Sequence, residues 1–115
     1  MADPETAPAK TWEIDSTDPK AAESVRAALR EVVDPEIGLN VVELGLVREV
    51  RENEGELQVK MILTTPFCPY GPALLEMARV KAEQGAGKPA RIELGMEMWD
   101  PSFMEEGAGA AWGLY

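Results

Sequence analysis

One thiol is the residue in this chain best suited to chemistry. Cys68 lies in the run Leu63-Thr64-Thr65-Pro66-Phe67-Cys68-Pro69, where an alternating apolar stretch gives way to a helical pattern. A thiol just ahead of a helix N-terminus faces backbone N–H groups without intrahelical partners and the positive end of the helix dipole. Both favour thiolate over thiol, so Cys68 is a candidate reactive or metal-binding sulfur. The competing reading is a small apolar side chain in a core, the usual place for a single cysteine. A position between two prolines in a connection, rather than on an apolar face, fits the functional reading better. The sequence has no histidine, which excludes imidazole acid-base catalysis, Ser-His-Asp triads and histidine metal sites. It also lacks a G-x-x-x-x-G-K-[ST] phosphate loop.

The elements that must position this thiol follow from periodicity. Leu57, Val59, Met61 and Leu63 alternate with mostly polar neighbours, which predicts a half-buried strand over 56–64. Pro72 and the apolar set Leu74, Leu75, Met77, Ala78 and Ala82 predict a helix over 72–84, ended by Gly85 and Gly87. Upstream, Asp18-Pro19 is a helix start, and Ala22, Val25, Leu29, Val32 and Val33 carry the apolar stripe as far as Asp34, where Pro35 stops it. A strand over 46–51 has imperfect alternation, and residues 52–55 connect it to the next strand. Ile92, Leu94, Met96 and Met98 predict a last strand that ends at Trp99-Asp100-Pro101. A helix joining the second and third strands implies a parallel pair. The order helix, strand, strand, helix, strand reads as an α+β (α/β two-layer) domain, a small mixed sheet covered by helices on one face.

Length and charge bound the remaining choices. With 115 residues, 45% of them hydrophobic, there is material for one domain with a modest core. Residues 1–17 read as a flexible N-terminal arm, 18–106 as the domain and 107–115 as a Gly/Ala-rich C-terminal tail. Trp12 and Ile14 are the arm's large apolar residues, placed either to pin it onto the domain or to bind a partner. The net charge of -10 argues against a nucleic-acid partner, because phosphate contacts need a basic field. Residues 1–19 carry five acidic side chains and one lysine, and residues 95–115 carry four acidic and no basic ones, so the excess sits mostly at the ends. No apolar run approaches the roughly 20 residues that span a bilayer. One cysteine cannot form an internal disulfide, and no secretory leader pattern is present, so the expected location is cytoplasmic.

If the Asp34 turn and the Cys68 turn share one edge of the domain, Asp34, Glu36, Thr64, Thr65 and Cys68 form a small polar patch. The plainer reading of each member is local: Asp34 and Glu36 decorate a helix stop, and the threonines suit a strand end.

Four stretches in this order carry a resemblance: Asp34-Pro35-Glu36, Glu43-Leu44-Gly45-Leu46-Val47, Leu63-Thr64-Thr65 with Cys68-Pro69, and Trp99-Asp100-Pro101. Together, over roughly residues 20–106, the chain resembles the iron-sulfur cluster assembly domain family. That family includes SufT-like proteins associated with the SUF system, PaaD-like proteins of phenylacetate degradation and the N-terminal domain of some Mrp-type carriers. The absence of a cysteine-rich extension and of an ATPase domain favours the SUF-associated or general assembly branch. The resemblance implies an accessory factor in iron-sulfur protein maturation, not an enzyme. It places the family's reactive cysteine on Cys68, its acidic turn on Asp34 and Glu36, and its threonine pair on Thr64 and Thr65. The implied partners are iron-sulfur assembly proteins or client apoproteins, and a second copy of the chain.

Clusters generally take four ligands, mostly thiolates, and one chain offers a single thiol. A transient iron-sulfur cluster bridged by paired Cys68 thiolates of two chains is feasible and labile, which suits a carrier. In the adaptor reading, Cys68 contacts a client or scaffold and never holds metal. Two readings from other classes remain: a thiol enzyme with Cys68 as nucleophile, which lacks a base, and a metal-free interaction module docking through its acidic ends.

Overall fold

Asp18 and Pro19 start the first long helix as their chemistry requires. In this computed structural model, which describes residues 12–35, 37–64 and 70–105, the Asp18 carboxylate accepts a hydrogen bond from the Ala21 N–H and Pro19 takes the first helical position. The elements in order are α1 (Ile14–Thr17), α2 (Pro19–Leu29), β1 (Val47–Asn53), β2 (Glu56–Met61), α3 (Gly71–Ala86) and β3 (Ala90–Leu94), followed by a 3-10 turn at Pro101–Phe103. The sheet order is β1-β2-β3, with β1 and β2 antiparallel and β2 and β3 parallel across α3. Val50, Leu57, Val59 and Met61 are fully buried and share one core with Val25, Leu29, Leu74 and Ala78 of the helices. The opposite face is polar, with Glu49, Arg51, Gln58, Lys60 and Glu93 around a shallow depression. The fold is therefore the expected α+β arrangement, a small mixed sheet with its helices on one face.

Several boundaries move, each for a physical reason. The α-helix stops at Leu29, five residues before Asp34. Val32 and Val33 leave the helix because their backbone is used elsewhere: the Val32 carbonyl accepts from Val41, the Asp34 N–H donates to the Leu39 carbonyl, and Val33 bridges to Asn40. A β-branched pair just before Asp-Pro prefers that extended geometry. The hairpin connection is two residues, Glu54 and Gly55, both at positive φ as the tightest hairpin turn demands. The imperfect alternation of β1 is a bulge: Val47 pairs with Met61 and Glu49 with Lys60, so Arg48 is an extra residue. Gly85 does not end α3. It lies inside the helix, where a Cβ would come within 2.8 Å of the Ser24 carbonyl oxygen of α2; the helix is capped by Gly87 instead.

β3 is shorter than its apolar alternation suggested. It ends at Leu94, and Met96 and Met98, expected to continue it, are 95% and 87% exposed. β2 supplies the reason: it ends at Met61, so no strand remains to pair beyond that point, and the Ile62 N–H turns to the Leu46 carbonyl.

The arm boundary at residue 17 also moves. Ile14 is fully buried and Trp12 nearly so, the Trp12 indole N–H donating to the Val47 carbonyl at 3.3 Å. Asp15 accepts the Trp12 backbone N–H and both arms of the Arg26 guanidinium, which itself stacks 4.0 Å from the Trp12 ring. Residues 12–17 thus belong to the packed domain, and of the two roles open to Trp12 and Ile14 they take the pinning one. Residues 1–11 and the whole 107–115 tail lie outside the described residues.

Candidate functional site

The turn after α2 is built around a buried carboxylate. Asp34 is 2% exposed. Its backbone is committed on both sides, the N–H donating to Leu39 and the carbonyl accepting from Ile37 at 3.2 Å and Gly38 at 2.7 Å. Its side chain reaches the other turn: the Tyr70 hydroxyl donates to Asp34 Oδ1 at 3.2 Å. Tyr70 is the N-cap residue of α3 and immediately follows the segment that holds Cys68. The Asp34 turn therefore meets the foot of the helix that Cys68 precedes, across 36 residues of sequence.

The other candidate residues stand as follows. Thr64 is half-buried just beyond β2. Glu36, Thr65 and Cys68 lie outside the described residues. Tyr70 joins the site although no motif in the sequence marks it. Its signal was a single polar atom on a large ring, which needs a partner when the ring is buried. The Tyr70 side chain does not cap α3, and the first turn of α3 has no acidic residue, so neither neutralises the helix's positive end. Among the described residues, no three side chains of the His, Cys, Asp and Glu types are grouped to hold a metal ion.

The two remaining motif stretches pair with each other. Asn40 and Glu43 bond reciprocally, the Asn40 carboxamide accepting from Val42 and Glu43 and the Glu43 carboxylate accepting from Asn40, which fixes a tight turn. On that turn docks the segment after β3. The Trp99 indole donates to the Leu44 carbonyl at 2.7 Å, and the Glu105 N–H donates to the Glu43 carbonyl at 2.9 Å. Gly45, at φ +73, lies so close to Phe103 that a Cβ would overlap the Phe103 carbonyl. The bulge residue Arg48 stacks 3.7 Å from the Phe103 ring. Glu105 closes the segment onto Arg30 at 2.7 and 2.8 Å, and this pairing raises the guanidinium above its ordinary value.

With this geometry in place, comparison with known proteins decides the family. A family model described as "Iron-sulfur cluster assembly protein" matches residues 22–94. The chain belongs to that family. Within the family, it is 39% identical over 89 residues to an Fe-S protein maturation auxiliary factor of Porphyromonas gingivalis, covering 75% of this chain and 85% of that one. It is 34% identical over 77 residues to the Fe-S protein maturation auxiliary factor SufT of Staphylococcus aureus, covering 65% and 84%. A domain of unknown function, DUF59, from Bacillus anthracis shares the fold with a TM-score of 0.75 at 22% identity, over 87% of this chain and 98% of that one. The matched span of this iron-sulfur assembly family chain contains both turns that Tyr70 and Asp34 join, as well as the whole sheet. No helix among its described residues is long and apolar enough to cross a membrane.

Proposed function

We propose that this chain is an accessory factor in the maturation of iron-sulfur proteins, acting in the cytoplasm by presenting Cys68 to an assembly protein or client apoprotein. The observation that carries this reading is the Tyr70 to Asp34 bond, which ties the segment ahead of α3 to a turn buried in the domain. Tyr70 follows Cys68 by two residues, so this bond fixes one end of the stretch that carries the thiol. On this reading Asp34 and Thr64 belong to that edge, and the sequence sets Glu36 and Thr65 close to them along the chain.

The cluster is cargo in this reading. One thiol, no histidine and no metal-competent grouping among the described residues make a poor resident site, so Cys68 supplies at most one ligand and a partner supplies the others. We read transfer without catalysis from the sequence: with no histidine, the thiol lacks the usual base of a covalent catalyst. Relatives named as auxiliary maturation factors support an accessory role.

The test is Cys68→Ala in cells, alongside anaerobic incubation of the purified chain with iron and sulfide. The variant should melt like wild type, yet activity of cluster-containing clients should fall. Normal client maturation in the variant would remove Cys68 from the function. A stable cluster on the isolated wild-type chain, absent from Cys68→Ala, would replace the adaptor with a carrier that binds its own cargo.

A further inference from the structure

β3 is an edge strand: among the described residues no strand pairs with its outer rim, which α3 reaches through Glu83 at Ala90, and its chemistry is self-complementary. Its hydrogen-bonding parity can be read from both ends. The Pro89 carbonyl accepts from Leu57 and the Gly95 N–H donates to Met61, so odd-numbered residues address β2. The even ones point outward, as Ala90 shows by donating its N–H to the Glu83 carboxylate of α3 and not to a strand. Ile92 and Leu94 therefore turn their N–H and C=O groups to the open rim, a ready template for another strand. Alongside that rim, between α3 and β3, runs a groove lined by Pro72, Leu75, Ile92 and Leu94, with Leu94 56% exposed.

We propose that the occupant of this rim is β3 of a second copy of the chain, paired antiparallel about a two-fold axis at Ile92. Two constraints select that register. Backbone parity requires even residues to face even residues, because a one-residue slip faces outward groups with inward ones. Charge chooses among the even registers: centring on Ile92 sets Arg91 opposite the second copy's Glu93 and Glu93 opposite its Arg91. A shift of two residues along the second copy would set Glu93 opposite Glu93, which repels. The Ile92 register also overlaps all five residues of β3 and sets Ala90 opposite Leu94, where the Ala90 carbonyl pairs while its N–H stays with Glu83. A register centred on Leu94 would draw in residues beyond the strand. Both Arg91 and Glu93 are exposed, and Arg91 pairs loosely with Glu56 of its own chain, at 3.8 Å.

The resulting assembly is one six-stranded sheet with the two α3 helices flanking the axis, an isologous interface. Pro72, at the start of α3, shares the groove with Leu94, so each α3 N-terminus lies at the Leu94 end of its own β3. Antiparallel pairing sends these ends apart. On the reading proposed above, the dimer presents two separate Cys68 sites and does not share one cluster between them.

The test is sedimentation equilibrium of the full chain with reductant, at concentrations up to about 100 µM, on wild type, Arg91→Glu, Glu93→Arg and the double reversal. Wild type should dimerise. Each single reversal places like charges opposite each other twice and should weaken the dimer at least about tenfold, while the double reversal restores it to within about threefold. A monomeric wild type overturns the proposal. So does a dimer that ignores the single reversals, or a double reversal no tighter than either single. None of these readouts involves the thiol, so the pairing can fail while the role of Cys68 stands, and the reverse.

Discussion

Two regions of the domain join distant parts of the chain, and they do so differently. Around Gly45, the segment 99–105 is held by backbone carbonyls of Glu43 and Leu44, by the stacking of Arg48 on Phe103 and by a close approach that only glycine permits. At the other edge, the Tyr70 phenol meets the buried Asp34 carboxylate at 3.2 Å. The first region uses its polar groups up in making a shape. The second joins two turns through a phenol and a carboxylate, two residues along the sequence from the chain's one thiol. Motif residues can therefore mark a structure as well as a chemistry: 43–47 with 99–101 make a clamp, whereas Asp34 and Tyr70 join two turns at the edge where we propose that recognition takes place.

The clamp should break hardest. Gly45→Ala must move the Phe103 backbone or abandon φ +73, and we expect a loss of roughly 3–5 kcal/mol in urea unfolding, enough to leave little folded protein at 37 °C. Trp99→Phe keeps most of the ring and removes the donor to the Leu44 carbonyl, at a cost of about 1–2 kcal/mol. If Gly45→Ala melted within a degree or two of wild type, the close approach of Phe103 would not be what the glycine serves.

The difference between the regions also explains what could be read in advance. The helices and strands were legible because their signals are local: the Asp18-Pro19 cap, the period-two run from Leu57 to Met61 and the proline that opens α3. Their ends were less legible, because ends are set by partners. Met96 and Met98 continue the alternation of β3, but β2 stops at Met61 and leaves them exposed. Val32 and Val33 fit the helical stripe, but their backbone serves the loop that returns at Asn40 and Val41. At the candidate site, Asp34 was readable as a turn residue and its meeting with the helix foot was posed as a condition. Tyr70 was not readable, because a tyrosine hydroxyl finds its partner in three dimensions. The same limit hid the docking of 99–105 on Gly45.

At the recognition edge, stability and function should separate. Tyr70→Phe removes the donor to Asp34 and should cost about 1 kcal/mol of stability, less than either clamp variant. Its effect on client activity in cells should nonetheless resemble that of Cys68→Ala, as the proposed function requires of the contact between Asp34 and Tyr70. Equal losses of stability and client activity across the Gly45, Trp99 and Tyr70 variants would mean that the edge is only another structural contact.

The N-terminal anchor provides the finest test, since it joins distant segments as the clamp does but relies on charge. Burial works to raise the Asp15 carboxyl, yet the Arg26 guanidinium and the Trp12 N–H outweigh it and hold the group below its ordinary value of 3.8. A carboxyl lowered in the folded state adds stability that is full above its unfolded value and is lost as pH falls through the folded one. Asp15→Asn keeps an acceptor for Trp12 but discards the charge. Urea midpoints of wild type and variant should therefore differ modestly at neutral pH and draw together as pH falls below 3.8. A gap that stayed constant across that range would assign the anchor to the buried Trp12 and Ile14 side chains, making it a packing contact like Gly45 against Phe103.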